Sequence, residues 1–354
     1  MGVSLKDVAA IAGVAPITVS RVLNNSPLVT DITRTKVMTA CRSTGYRPHA
    51  GARALRSKRF NTVGLLLPAE EGHMLLPHSL LASIADELEN RRIALQIMQL
   101  SDRQLTDADF VPRILTERMV DGLLINYTIG IPDKLTIQVN EHNLPSVWIN
   151  IKRSHNCVYP DMFNGARKAA EHLIKLGHQH VGFLDFTNNP SLINQLHYSV
   201  KDTYDGVCDA IEKTNSGSKL EIICKENIAR KDRLSFMQGV LGRIDYPRAI
   251  ITVNYRHALT CLHAALSLGI RVPEDLSIVT FYDKSIYDET GLAFDTVSVP
   301  EVEMGRAAVD MLLKKINHHE KNIPSVCIDM PLTIGDTSKH LEKQTDDSKV
   351  NLDI

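Results

Sequence analysis

Between residues 61 and 340, short apolar runs alternate with amphipathic stretches, and this alternation constrains the fold more than any other feature of the chain. The runs TVGLLLP (62–68), ALQIMQL (94–100), GLLIN (122–126), SVWIN (146–150), HVGFLDF (180–186), AIITVN (249–254) and SIVTFYD (277–283) have strand length and composition. Helical periodicity lies between them at 79–91, 107–118, 134–142, 164–176, 201–214, 231–241, 256–268 and 302–317. Continuous apolar strands separated by helices predict parallel sheets covered on both faces. The class is therefore α/β. Seven strands spread over this length predict two sheets, each doubly wound by the right-handed crossover rule.

The first sixty residues are different in kind. They carry ten Lys and Arg against two acids, Asp7 and Asp31, for a net charge of +8, while the remainder of the 354-residue chain nets −9. A small basic head on an acidic body predicts a polyanionic partner for the head. Its apolar periodicity excludes a merely disordered basic arm.

Within the head, LKDVAAIAGVAPITVSRVLNNSPLV (5–29) reads as two short helices joined by a tight turn. Ser4 is placed as an N-cap with Asp7 in the first turn. Leu5, Val8, Ala9 and Ala12 share one face, and Gly13 ends the helix where a positive φ is needed. Pro16 suits the first position of a second helix. Val19, Val22 and Leu23 form its buried side, leaving Pro16, Ile17, Thr18, Ser20, Arg21 and Asn24 outward. A third helix is expected from Asp31, with Val37, Ala40 and Cys41 inward, ending near Gly45. This is the design of an all-α helix-turn-helix that lays its second helix in the DNA major groove.

LKDVAAIAGVAPITVSRVLN, the following V-T-x-x-T-R-x-x-V-x-x-A and GYRPHAGARAL together resemble the DNA-binding head of the lactose-repressor (LacI/GalR) family of bacterial regulators. The resemblance implies roles by position. Pro16, Ile17 and Arg21 would read bases, Arg21 by a bidentate contact to guanine and Ile17 by apolar contact with a thymine methyl. Ser4, Thr18, Ser20, Asn24, Thr30 and Thr33 would contact phosphates and fix register. Residues 48–56, PHAGARALR, resemble the family's hinge helix, with Ala52 and Leu55 in the minor groove and Leu55 wedged into a central base step. Gly51 inside so short a helix costs about 1 kcal/mol relative to Ala, so the hinge is expected to fold only on DNA.

The resemblance extends through Val120-Asp121-Gly122, Asp161…Gly165…His172-Leu173…Gly177-His178 and Gly269…Val272-Pro273-x-Asp275-x-Ser277. It implies a periplasmic-binding-protein-like body of two Rossmann-like subdomains linked by three crossovers, with an effector cleft beyond the carboxyl ends of the strands. The implied organisation is a head at 1–47, a hinge and linker at 48–60 and a body at 61–340. Subdomain one would take 61–160 and 292–324, and subdomain two 161–291 and 325–340. The tail, 341–354, has no heptad leucines and is expected to be disordered rather than a tetramerising coiled coil.

The cleft residues depart from the family pattern. Asp283 matches the acid that holds ligand hydroxyls. The usual arginine falls on Thr203, the usual Asn-Asp on Asn254-Tyr255, the usual Asp-Asn on Asp161-Met162, and a second usual arginine on Gly335. Asp283, Thr203, Asn254, Tyr255 and Asp161 are the candidate effector residues. Either the ligand is no ordinary sugar or purine, or the cleft binds weakly or nothing.

No G-x-S-x-G, Walker A, H-E-x-x-H or G-x-G-x-x-G occurs, so no catalytic centre, metal or cofactor is expected. His178 and His180 sit at a helix-to-strand turn, where solvated histidines are expected. No run is long enough for a membrane span and no signal peptide is visible. The six scattered cysteines are expected to be reduced and mostly buried. The implied protein is a bacterial cytoplasmic homodimeric repressor that binds a pseudo-palindromic double-stranded operator and answers to a small, sugar-like effector. Alternatives are a regulator whose body answers to a protein partner or to nothing, and a sugar-binding protein with a vestigial head.

Overall fold

The computed structural model describes residues 3–24, 26–47, 59–69, 76–100, 112–117, 119–126, 131, 133–187, 197–214, 217–282 and 291–341. They fall into two compact units, Met1–Asn61 and Thr62–Ile354.

Among the described residues the first unit holds three helices: α1 (Leu5–Ala12), α2 (Pro16–Leu23) and α3 (Asp31–Thr44). Ser4 and Asp7 close a reciprocal capping box at the start of α1, and Gly13 ends it at φ 65°. Pro16 opens α2 as its first residue. Thr30 caps α3, and Gly45 ends it at φ 64°. Val8, Ala9, Val19, Val22, Val37, Ala40 and Cys41 form the core among the three helices. Leu5, Ala12 and Leu23 pack around it partly buried.

The second unit contains two six-stranded sheets. The first sheet orders its strands β11-β5-β4-β3-β1-β2. These are β1 (Thr62–Pro68), β2 (Ala94–Leu100), β3 (Gly122–Ile125), β4 (Ser146–Ile149), β5 (Cys157–Pro160) and β11 (Val326–Ile328). The second orders β12-β10-β9-β8-β6-β7. These are β6 (His180–Leu184), β7 (Lys219–Ile222), β8 (Ala249–Thr252), β9 (Ser277–Tyr282), β10 (Asp295–Ser298) and β12 (Leu332–Thr333). Every pairing is parallel except β10 with β12. Helices cover the faces: α4 (His78–Glu89) and α11 (Glu301–His318) pack together on the first sheet, while α7 (Met162–Lys175) and α8 (Tyr198–Lys213) pack together on the second. Arg113–Thr116, Asp133–Glu141, Arg233–Leu241 and Tyr255–Ser267 complete the set as α5, α6, α9 and α10. Most of the expected 107–118 helix lies outside the described residues.

The subdomain bounds expected from sequence need correction. β10 belongs to the second sheet and β11 to the first. The last two crossings therefore fall after Ser298 and after Ile328, rather than at 292 and 325. β10 pairs with β9 and β12 of the second sheet, and its first residue is Asp295, which has no exposed surface. Its Oδ1 accepts from the backbone N–H groups of Gly335 and Thr337, each at 3.2 Å, and its Oδ2 accepts from Ser338 Oγ at 2.5 Å and faces His172 Nε2 at 3.2 Å. Burial alone would raise its pKa, but the hydrogen bonds from His172, Ser338, Gly335 and Thr337 outweigh that and lower it. The following segment is stitched down further. Ile278 N donates to Thr337 O, and Leu341 N donates to Leu176 O. His178 is not solvated as expected: it is 4% exposed, with Nε2 3.0 Å from both Lys339 O and Ser277 Oγ. His180 pairs with Glu221 at 2.9 Å. All six cysteines are free thiols, four of them buried.

The carboxyl edges of the two sheets meet at the start of α8. His197, its N-cap, places Nε2 2.6 Å from the carbonyl of Asn150, which follows β4 in a left-handed conformation at φ 58°. Its Nδ1 accepts from Ser199. The neutral Nε2–H form satisfies both contacts, and burial lowers the His197 pKa in its favour. Tyr198 Oη donates to Pro160 O at 3.4 Å, and its ring meets Tyr159 edge-on at 5.8 Å. Lys152 pairs with Asp202 at 2.7 Å.

Two outcomes follow from these contacts. Asp295→Asn replaces one acceptor oxygen by an amide N–H that faces other donors, and is expected to lower unfolding free energy by about 2–3 kcal/mol in urea titration at pH 7. The stabilisation from Asp295 is present above the ordinary carboxylate range and is lost as pH falls through its lowered folded value, so the variant should lose that share of acid sensitivity. For His197, the folded state resists a proton that the unfolded chain accepts below its ordinary value of 6.5. Stability therefore falls as pH drops below that value. His197→Ala should cost about 1 kcal/mol at neutral pH and flatten the decline between pH 6.5 and 5.

Candidate DNA interface and ligand cleft

The chemistry of the head depends on which side of α2 is left outside. Val19 and Val22 are buried, and the opposite side presents Pro16, Ile17 and Arg21 to solvent, with Thr18 and Ser20 partly covered. Ile17 is 59% exposed, a cost in water for a β-branched apolar side chain unless a partner covers it. Asn24 ends the helix and reaches back toward Ser20 Oγ at 3.5 Å.

The flanking hydroxyls have local partners. Ser4 Oγ donates to Asp7 Oδ2 at 2.8 Å. Hydrogen bonds from the Ser4 backbone and hydroxyl hold the Asp7 carboxyl below its usual range. Thr30 Oγ1 accepts from Thr33 N at 3.4 Å and lies 3.0 Å from Thr33 Oγ1. One hydroxyl of the Thr30–Thr33 pair keeps its proton for a phosphate oxygen, so capping and phosphate contact are compatible there, whereas Ser4 would have to release Asp7 to donate to a phosphate. Ala52 and Leu55 lie outside the described residues, as does the whole 48–56 hinge.

The cleft candidates are distributed less favourably. Asp161 caps α7: Oδ1 accepts from Asn164 N at 3.1 Å and Oδ2 from Asn164 Nδ2 at 2.6 Å. Asn254 caps α10 by accepting from His257 N at 3.2 Å. Tyr255 opens α10, with its hydroxyl accepting from Arg256 Nε at 3.3 Å. Thr203 is 2% exposed. It shares a face of α8 with Gly206, whose Cα approaches α7 so closely that an added Cβ would stand 2.2 Å from Phe163 O. At Gly335 an added Cβ would stand 2.2 Å from Ala293 O, so this backbone admits no side chain there. Asp283 lies outside the described residues. The structure thus brings Asp161, Asn254 and Tyr255 to carboxyl ends of strands, employs two of them as helix caps, and places Thr203 in a helix seam.

Residues that sequence reasoning did not single out occupy the same edges. Asp185 follows β6, is 5% exposed, and accepts from Thr187 N and Oγ1 at 2.8 and 2.6 Å. His257 is 2% exposed, with Nδ1 3.9 Å from Asp185 Oδ1. Burial drives its pKa down to about 4. Arg233 lies over the Phe186 ring at 5.2 Å. Nothing in their sequence spacing marks these residues, because three separate strand ends bring them together. Among the described residues, no group of three or more His, Cys, Asp or Glu side chains is arranged to hold a metal, and no helix is long and apolar enough to cross a membrane.

Comparison with known proteins places both units. Residues 4–49 match the model of the bacterial regulatory proteins of the lacI family, and residues 170–338 match a periplasmic binding protein-like domain. The chain is 29% identical to the HTH-type transcriptional regulator RegA of Clostridium saccharobutylicum, covering 94% of this chain and 98% of that protein. It is 25% identical to the HTH-type transcriptional repressor PurR of Haemophilus influenzae, covering 90% of this chain and 93% of that protein. A solved lac repressor dimer, bound to operator and an anti-inducer, shares the fold with a TM-score of 0.74 at 23% identity, covering 96% of this chain and all of that one. With a head that matches the lacI-family DNA-binding domain at one end and a two-sheet body that matches a periplasmic binding protein-like domain at the other, the chain has the two-part organisation of the lacI-family transcriptional regulators to which it is similar.

Proposed function

We propose that this protein is a repressor that binds a pseudo-palindromic DNA site as a homodimer, with a small, sugar-like molecule in the body cleft setting its affinity. The observation that carries the reading is the exposed face of α2, where Ile17 and Arg21 stand out of a helix whose other side packs into the head's core through Val19 and Val22. That face matches the width and chemistry of a major groove: a guanidinium for guanine O6 and N7, and an apolar side chain for a thymine methyl. Support for repression and dimerisation comes from relatives, namely the repressor PurR and the operator-bound lac repressor dimer. In a homodimer each head reads half of the site and the two Leu55 side chains meet at its centre. Ser4, Thr18, Ser20, Asn24, Thr30 and Thr33 supply the phosphate contacts of this reading. The setting is the bacterial cytoplasm.

A second reading has its own observation. Two candidate ligand-binding side chains, Asp161 and Asn254, are committed to helix caps, Thr203 is packed away and Gly335 has no room for a side chain. A body that answers to a protein partner, or to nothing, fits that arrangement. Thermal shift with a panel of sugars and sugar phosphates separates the two: a concentration-dependent rise supports the small-molecule reading, and no response from any compound supports the other.

The decisive experiment is selection of bound duplexes from a random library by the full-length protein. A two-fold symmetric site should be enriched, and its affinity should fall steeply with salt. Failure to enrich any sequence defeats the proposal. Arg21→Ala is expected to cost about 1–3 kcal/mol on the selected site and relax preference at one base pair per half-site. A uniform loss on all sequences would make Arg21 a phosphate contact instead. Leu55→Ala should reduce bending of the selected duplex in a gel-phasing assay, together with its affinity. Unchanged bending would remove the wedge from the mechanism.

A further inference from the structure

Arg34 counts among the ten basic residues of the head, and charge alone would assign it to the DNA backbone. The structure gives it other work. Partly buried in the first turn of α3, it directs Nη2 to the carbonyl of Ser26 at 3.0 Å and Nη1 to the carbonyl of Val22 at 3.4 Å. Val22 belongs to the last turn of α2 and Ser26 to the loop beyond it.

The need for such a contact lies in how α2 ends. Both α1 and α3 finish in a left-handed glycine, Gly13 and Gly45, that turns the chain and satisfies terminal carbonyls. α2 has no such cap. It runs out through Asn24 at φ −94°, ψ 12°, and the backbone N–H of Ser26 bonds to Arg21 O. A guanidinium at this end offers donors to the remaining carbonyls and complements the negative pole of the helix. Arg34 itself follows the Thr30 cap, and its N–H bonds to Thr30 O. One side chain therefore ties the end of α2 to the start of α3. Arg21 and Asn24 lie just before the tied segment and Thr30 and Thr33 just after it.

We propose that Arg34 is a positioning residue: it touches no phosphate, and it sets the direction of the end of α2 so that Arg21 and the flanking hydroxyls engage DNA together. This rests on the reading of α2 as the base-reading helix, which the duplex selection with the unaltered protein tests separately. The inference is tested with full-length Arg34→Lys and Arg34→Ala proteins, titrated between 50 and 200 mM salt against the selected duplex and a random duplex. Lysine keeps the charge but cannot reach two carbonyls in a fixed fork.

Both variants are expected to lose about 10- to 100-fold on the selected duplex, the loss of charge-assisted hydrogen bonds. The random duplex should be nearly unaffected, and the salt slope unchanged. Restoration by lysine, or a slope shallower by about 0.9 for Arg34→Ala, would make Arg34 a phosphate contact and overturn the proposal. Amide hydrogen exchange at Val8, Val19 and Val37, all fully buried, should remain protected in Arg34→Lys. Loss of that protection would make Arg34 a general stabiliser of the head and would equally overturn the proposal.

Discussion

A carboxylate with no exposed surface closes the body. Asp295 begins the strand that lies between β9 and β12, and its oxygens collect donors from Gly335, Thr337, Ser338 and His172. An ionised group in that position is tolerable only when its lone pairs are filled. Filling them requires residues some forty positions further along the chain, after it has visited the first sheet through α11 and β11 and returned. The third crossing is therefore fixed by a polar contact as well as by the apolar packing of Met330 and Leu332 on the second sheet's core. Gly335 belongs to the same closure, since its N–H serves Asp295 and its Cα fits against Ala293. The position that the family resemblance would assign to a ligand-holding arginine is here part of the lock.

What could be read from sequence follows the range of the interactions involved. The head was legible because its determinants act within a few residues: Ser4 with Asp7, Pro16 at a first helical position, Gly13 and Gly45 at positive φ. Strands β1, β2, β3, β4, β6, β8 and β9 were legible because their apolar runs need no partner to be recognised. β5, β7, β10, β11 and β12 were not. They are two to four residues long, and their strand character comes from a neighbour's ladder, as with Val326–Ile328 beside β5 or Asp295–Ser298 beside β9. A polar strand such as DTVS carries no apolar signal, although all four residues are buried. His178 illustrates the same limit. A histidine at a turn is expected to be wet, and only the return of Lys339 covers it.

The candidate sites divide along the same line. The outward face of α2 follows from helical periodicity, so Ile17 and Arg21 were identifiable. The cleft was not, because Asp and Asn are both the residues that hold ligand hydroxyls and the residues that cap helices. At the carboxyl end of a strand that leads into a helix, one side chain is asked to do either. Asp161 and Asn254 sit at that junction and cap. The work of Arg34 was not legible for a related reason: net charge says what a residue could attract and nothing about which carbonyl it already holds.

The contacts between the two carboxyl edges bear on how a cleft ligand could act. Each joins one sheet's loop to α8: Asn150 to His197, Pro160 and Tyr159 to Tyr198, Lys152 to Asp202. Two are backbone carbonyls, so no substitution of the first subdomain's side chains removes them. A ligand between the edges can change the relation of the subdomains only by binding one arrangement of this latch better than another. To move the balance from one in a hundred to ninety-nine in a hundred it must do so by about 5.5 kcal/mol. A few hydrogen bonds and one ring contact, worth about 1 kcal/mol each, bias the resting arrangement by an amount approaching that figure. Contacts of that size define a resting arrangement, and they set the differential affinity that any cleft ligand would need to change it.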